Sequence, residues 1–251
     1  MKSFTFNFEK QLDFLDYIRN KKVIIVGPSP HLEGRGLGKL IDSYDVVCRV
    51  NECYTESVKE DYGKRCDVVF LGNISDDTKE KLGASIWLHN TKEKPIDWFV
   101  VPQSISTEAN KLSRMMEFFG QFRSVKTSII THDWWDAMCK QMDVLRRDFT
   151  PYAYGANTGV LSILYLLEFI DTFDIAGFSF YNEGLKADQR HHSAYREHSG
   201  DEYTNVDLDG PWCIHDPFKQ ADHIKTLMRD ASIRVDPYMA KHIFKESKVI
   251  Q

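Results

Sequence analysis

Three groups of polar residues in this chain have types and spacings that could do chemistry. Gly27 and Ser29 follow the apolar run 21–26, and Asn51 follows a second apolar run, 45–50. Short runs of this kind read as buried strands, and polar groups at the carboxyl ends of parallel strands are where nucleotides and their phosphates bind. Asn157-Thr158-Gly159 opens a long apolar stretch. It reads as a helix N-cap or as an anion site, because the first N–H groups of a helix and its dipole both face an incoming negative charge. His215 and Asp216 stand immediately before Pro217, a residue favoured in the first turn of a helix. A histidine there is either a capping or packing residue or a general base, for which imidazole has the right intrinsic pKa.

Weaker patterns compete with these. Gly34, Gly36 and Gly38 lie in GRGLGKL, which lacks both the spacing of a phosphate loop and the glycine pattern of a dinucleotide fold, so it reads as an ordinary loop. Asp207-x-Asp209 has the form of a pair that holds a divalent cation against a diphosphate, a pattern common by chance. His191, His192 and His198 cluster upstream of His215, yet no carboxylate or cysteine is spaced to complete a metal site.

These residues need a scaffold. Helical and strand patterns alternate along the chain, with strands expected over 21–26, 45–50, 66–71, 85–88, 98–101, 128–131 and 173–177. Helices are expected over 8–19, 37–42, 56–62, 107–119, 134–147, 158–170 and 217–230, then a weak strand and helix. Alternation predicts an α/β fold with a mainly parallel sheet flanked by helices. The 251 residues read as a single domain, 1–251, large enough to bury roughly three quarters of its unfolded surface. Residues 181–211 are polar, histidine-rich and without period, as in a lid or an acceptor loop.

Composition excludes some classes. A formal net charge of -5 argues against general nucleic-acid binding. No apolar run reaches the roughly 20 residues of a membrane span, and the opening residues are too acidic to read as a secretory signal. Five cysteines, Cys48, Cys53, Cys66, Cys139 and Cys213, form neither a zinc pattern nor a paired disulfide framework, which suits a reducing, cytoplasmic setting.

In order, these motifs resemble those of the sialyltransferases. Gly27, Ser29, the G-x-G, then Ile41-Asp42-x-x-Asp45-x-Val47-x-Arg49-x-Asn51 resemble the large motif, and Asp61-Tyr62-Gly63-Lys64-Arg65 its D-x-G-x-R continuation. Asn157-Thr158-Gly159, an apolar helix, a strand and Gly177-Phe178 resemble the small motif, and His215-Asp216 the start of the very small motif. The bacterial sialyltransferases of the capsule and lipooligosaccharide type share the layout, and Gly177-Phe178-Ser179-Phe180-Tyr181 looks like their G-x-D-F-Y. The chain departs from the family at several points, among them the absence from both motifs of the cysteines that join them in the animal enzymes. Pro28 stands where an asparagine usually follows the glycine, and Gln220 stands where the very small motif ends in glutamate.

The resemblance implies a Rossmann-like sheet of the sialyltransferase-type GT-A variant. It further implies an inverting, metal-independent glycosyltransferase that moves a 2-keto sugar acid, with sialic acid the leading candidate, from its CMP ester to a glycan hydroxyl. A donor with one phosphate leaves no diphosphate for a cation to hold, so no cofactor is expected. On this reading His215 is the base, while His198 and Tyr181 support the departing phosphate. Asn157, Thr158 and Gly159 hold the sugar carboxylate, and Gly27, Ser29 and Asn51 meet the cytidine and its phosphate. Expected partners are the CMP-sugar and an oligosaccharide or glycolipid acceptor, in the cytoplasm, with attachment to the inner membrane face left open. Three alternatives remain: a CMP-Kdo-dependent transferase, a metal-dependent transferase using Asp207-x-Asp209, and a nucleotide-binding module without turnover.

Overall fold

The computed structural model describes residues 8–51, 55–72, 76–102, 117–130, 132–143, 156–180, 217–228, 232–245 and 247–250. Helix α1 (Phe8–Ile18) leads into β1 (Val23–Val26), then α2 (Gly38–Asp42), β2 (Val46–Val50), α3 (Lys59–Tyr62) and β3 (Val68–Phe70). The long helix α4 (Asp76–Lys92) precedes β4 (Trp98–Val101) and β5 (Lys126–Ile129). Then come α5 (His132–Gln141), α6 (Thr158–Phe169), β6 (Thr172–Ala176), α7 (Pro217–Met228), β7 (Ser232–Val235), α8 (Pro237–His242) and β8 (Lys248–Val249).

The strands form one eight-stranded sheet in the order β5-β4-β3-β2-β1-β6-β7-β8. Every pairing is parallel. Central strands read as unbroken apolar runs because helices cover both faces. Val23 and Ile25 of β1 pack with Phe14, Trp134, Tyr165 and Ile224 on one face. Ile24 and Val26 face Ile41, Tyr44 and Tyr62 on the other. The edge strands β5 and β8 are more exposed and carry lysines, which discourages further pairing there.

Residues 85–88 are not a strand. They lie inside α4, where Ser85, Ile86 and His89 are buried and Trp87 is exposed. That burial follows helical spacing, and a short apolar run cannot separate the two periods by itself. Strand β5 also begins two residues before the expected 128, because Lys126 pairs with Trp98. The helix expected over 107–119 falls largely outside the described residues.

The strand order fixes where a ligand can sit. From β1 the chain steps outward to β5, then α6 returns across β2 and β3 to place β6 on the other side of β1. From β6 it steps outward in the opposite direction. The carboxyl ends of β1 and β6 are therefore the switch point of the sheet, the binding position of open α/β sheets.

Candidate functional site at the β1–β6 switch point

Gly27 sits at this switch point for a steric reason. Its N–H donates to the Ala176 carbonyl at 2.8 Å, and a Cβ at Gly27 would lie 2.5 Å from the Gly177 carbonyl oxygen. The reverse contact is as tight: a Cβ on Gly177, whose φ is +75°, would lie 2.4 Å from the Gly27 carbonyl oxygen. Ser29 N–H then donates to the Gly177 carbonyl at 2.9 Å, extending the β1–β6 pairing beyond both strands.

The Phe178 ring links this point to α6. It lies 3.0 Å from a Cβ built on Gly27 and 2.7 Å from one built on Gly159. So the small motif's glycine and the large motif's glycine flank one buried aromatic ring. Asn157 caps α6 by accepting from Val160 N–H at 2.8 Å. Its own N–H donates to the Gln220 side-chain oxygen at 2.9 Å, which ties the first turn of α7 to the positive end of α6.

Asn51 ends β2 with φ +60°, a conformation asparagine tolerates better than most residues. Its N–H donates to the Phe70 carbonyl at 2.8 Å, and its side-chain oxygen accepts from Gly72 N–H at 2.7 Å. Among the described residues no bond of its amide NH2 is found.

Ser29 is 4% exposed and is held from two sides. Tyr62 donates its phenol to the Ser29 carbonyl at 2.5 Å. Burial, then the Glu33 and Asp61 carboxylates, push that phenol well above its ordinary value, so it stays a donor. On the other side the Ser29 hydroxyl lies 3.0 Å from His31 Nδ1, and His31 Nε2 lies 3.0 Å from Asp236 Oδ2. Asp236 is fully buried. It caps α8 through Tyr238 and Met239 N–H and accepts the Gly177 N–H at 2.9 Å.

Much of the large motif is scaffold. Asp61 accepts the Gly34 and Gly36 N–H groups at 2.8 and 2.7 Å, so a carboxylate already occupies the glycine-rich turn. Asp42 accepts the Lys64 and Arg65 N–H groups. Buried Arg49 donates to the carbonyls of Arg65, Tyr62 and Gly63. These charged side chains fasten the β1–β2 and β2–β3 connections to each other.

Of the residues expected from sequence, the structure brings Gly27, Ser29 and Gly159 to one place, with Asn157 and Thr158 at the adjoining helix end. Asn51 stands one strand away on the same edge. Tyr181, His198 and His215 lie outside the described residues, as do Asp207, Asp209 and the segment 181–211. Sequence reasoning missed His31, Tyr62 and Asp236. Asp236 before Pro237 carries an N-cap signature, but its meeting with His31 spans 205 residues. Among the described residues no three His, Cys, Asp or Glu side chains group to hold a metal ion. The described cysteines, Cys48, Cys66 and Cys139, are free and buried.

This arrangement defines the class. The chain belongs to glycosyltransferase family 29, the sialyltransferases, whose model matches residues 7–211. It is an enzyme, a CMP-sugar-dependent glycosyltransferase. Solved structures share the fold at low identity. One is a mammalian sialyltransferase in complex with Gal-β-1-3GalNAc-ortho-nitrophenol, 16% identical, with TM-score 0.54 over 88% of this chain and 71% of that one. Another is a point variant of the sialyltransferase CstII in complex with CMP, 15% identical, with TM-score 0.56 over 92% of this chain and 86% of that one. CstII comes from Campylobacter jejuni. No curated protein sequence matches the chain.

Proposed function

We propose that this enzyme transfers sialic acid from CMP-sialic acid to a glycan hydroxyl, with inversion and without a metal ion. The observation that carries the reading is the convergence of Gly27 and Gly159 on Phe178 at the switch point, with Ser29 bonded to the adjoining Gly177, beside the N-terminus of α6. The donor phosphate meets Ser29 and the cytidine meets the Gly27 turn and the Asn51 amide. The sugar carboxylate sits at Asn157, Thr158 and Gly159, an anion at the positive end of a helix.

The transition state resembles an oxocarbenium ion, so the enzyme must deprotonate the acceptor and stabilise the departing phosphate. His215 is the proposed base. It precedes by two residues helix α7, whose Gln220 bonds to Asn157, so the motif that supplies the base is continuous with a helix anchored at the donor site. His198 and Tyr181, which follows directly on the described residue Phe180, are the proposed phosphate ligands, and residues 181–211 the proposed cover and acceptor loop of the single domain 1–251. Metal independence rests on the donor, whose single phosphate needs no cation bridge. Free thiols at the described cysteines support a reducing, cytoplasmic setting; a glycolipid acceptor would bring the enzyme to the inner membrane face.

The test is a melting-temperature screen with CMP and uridine diphosphate, with and without chelator. CMP at about 100 times its dissociation constant should add roughly 2.7 kcal/mol, unaffected by chelator. Stabilisation by uridine diphosphate that chelator abolishes would overturn the reading in favour of a metal-dependent transferase.

A further inference from the structure

The hydrogen-bonded row Ser29–His31–Asp236 goes further than holding the turn. Asp236 accepts three backbone N–H groups, Tyr238 and Met239 on Oδ1 and Gly177 on Oδ2, and its Oδ2 also lies 3.0 Å from His31 Nε2. A carboxylate so surrounded acts only as acceptor, which fixes a proton on His31 Nε2. The remaining ring nitrogen, Nδ1, is the one that meets Ser29, at 3.0 Å. The His31 side chain is 6% exposed and that of Asp236 is fully buried, and the ring stacks on Tyr238 with centroids 4.2 Å apart. The ring therefore has little freedom to change partners.

The protonation of Nδ1 then decides what Ser29 can offer a ligand. With Nδ1 bare, it draws the Ser29 hydroxyl proton to itself, and the hydroxyl shows a ligand only lone pairs, which repel phosphate oxygens. With Nδ1 protonated, its N–H donates to the Ser29 oxygen and frees the hydroxyl proton to turn outward. A phosphate ester selects the second state and gains a charge-assisted chain of donors ending at a cation.

We propose that His31 is a proton-linked positioning residue: held by Asp236, it takes up a proton when a phosphate ester binds and turns the Ser29 hydroxyl into a donor to that phosphate. This rests on the reading above that the donor phosphate meets Ser29. The groups around the ring suit the role. They are the Asp236 carboxylate from α8, the Glu33 and Asp61 carboxylates near the Ser29–Tyr62 contact, the Tyr62 phenol from α3, Arg35, which donates to the His31 carbonyl, and His242 beyond Tyr238.

The experiment compares CMP with cytidine, the same nucleoside without phosphate. Calorimetric titrations are run at pH 8 in two buffers of different ionisation enthalpy. At that pH the phosphate is already fully ionised, its second pKa being about 6. Wild-type protein should take up a measurable fraction of a proton on binding CMP and none on binding cytidine. In His31→Gln the amide still reaches Asp236 and falls short of Ser29. CMP should then bind about tenfold more weakly, without proton uptake, and cytidine as before. Ser29→Ala should also lose the uptake, and adding His31→Gln to it should change CMP affinity no further. Buffer-independent enthalpy of CMP binding in the wild type overturns the proposal, as does an equal loss of CMP and cytidine affinity in His31→Gln. Failure of the wild type to bind either ligand overturns the donor reading itself.

Discussion

His89 makes the fold sensitive to acid. It lies on the buried side of α4, 1% exposed, and among the described residues neither ring nitrogen has a partner at full hydrogen-bond geometry. Burial first, then the charge of Arg49, lower its pKa from 6.5 to about 4, while backbone groups of Lys94 and Cys66 and the Asp67 carboxylate pull the other way. The folded protein therefore holds the ring neutral, whereas the unfolded chain protonates it near 6.5. Between these values the unfolded state binds more protons, so stability is intact above pH 6.5 and is lost as pH falls toward 4. A displacement of that size corresponds to about 3 kcal/mol.

His89→Met keeps an apolar side chain of similar reach and removes the titration. It also removes two buried nitrogens that lack full hydrogen bonds, so at pH 7 the variant should match or exceed wild-type stability, by about 1 kcal/mol. Urea unfolding followed by tryptophan fluorescence at pH 7, 6, 5 and 4 measures both. The wild type should lose about 3 kcal/mol more than the variant between pH 7 and pH 4, since the carboxylates titrate alike in the two proteins. Parallel stability curves would refute the reasoning.

Two further outcomes follow from the site. Gly159→Ala gains about 0.5–1 kcal/mol of helix propensity but drives a methyl to 2.7 Å from the Phe178 ring. Gly27 blocks the ring from retreating, so overpacking at about 1–3 kcal/mol wins; melting temperature and CMP affinity should both fall, and a rise in melting temperature would contradict the packing. His215→Ala should lower turnover by about two to four orders of magnitude with CMP affinity and melting temperature retained; near-normal turnover in a folded variant would remove His215 from the mechanism.

The parallel sheet was legible in the sequence because its central strands are buried on both faces, so VIIV, VVCRV and WFVV stand out as apolar runs between polar breaks. The family's motifs were legible for the same local reason. Glycines that must admit a backbone neighbour and an asparagine that caps a helix leave marks in the residue string itself. The run at 85–88 misled because three apolar residues after a serine fit a strand as well as a buried helix stripe, and only Ser85, Ile86 and His89 turning to one side of α4 resolves it. What sequence could not assign was the division of labour among the polar residues. Asp42, Arg49 and Asp61 carry motif positions yet spend their hydrogen bonds on the β1–β2 and β2–β3 connections. His31 and Asp236 carry none, yet they meet at the Ser29 turn. Their contact exists because β7 lies two places from β1 in the sheet, bringing the cap of α8 over the end of β1. Burial and cap spacing are written locally along a chain; a hydrogen bond between residues 205 positions apart is decided by strand order alone.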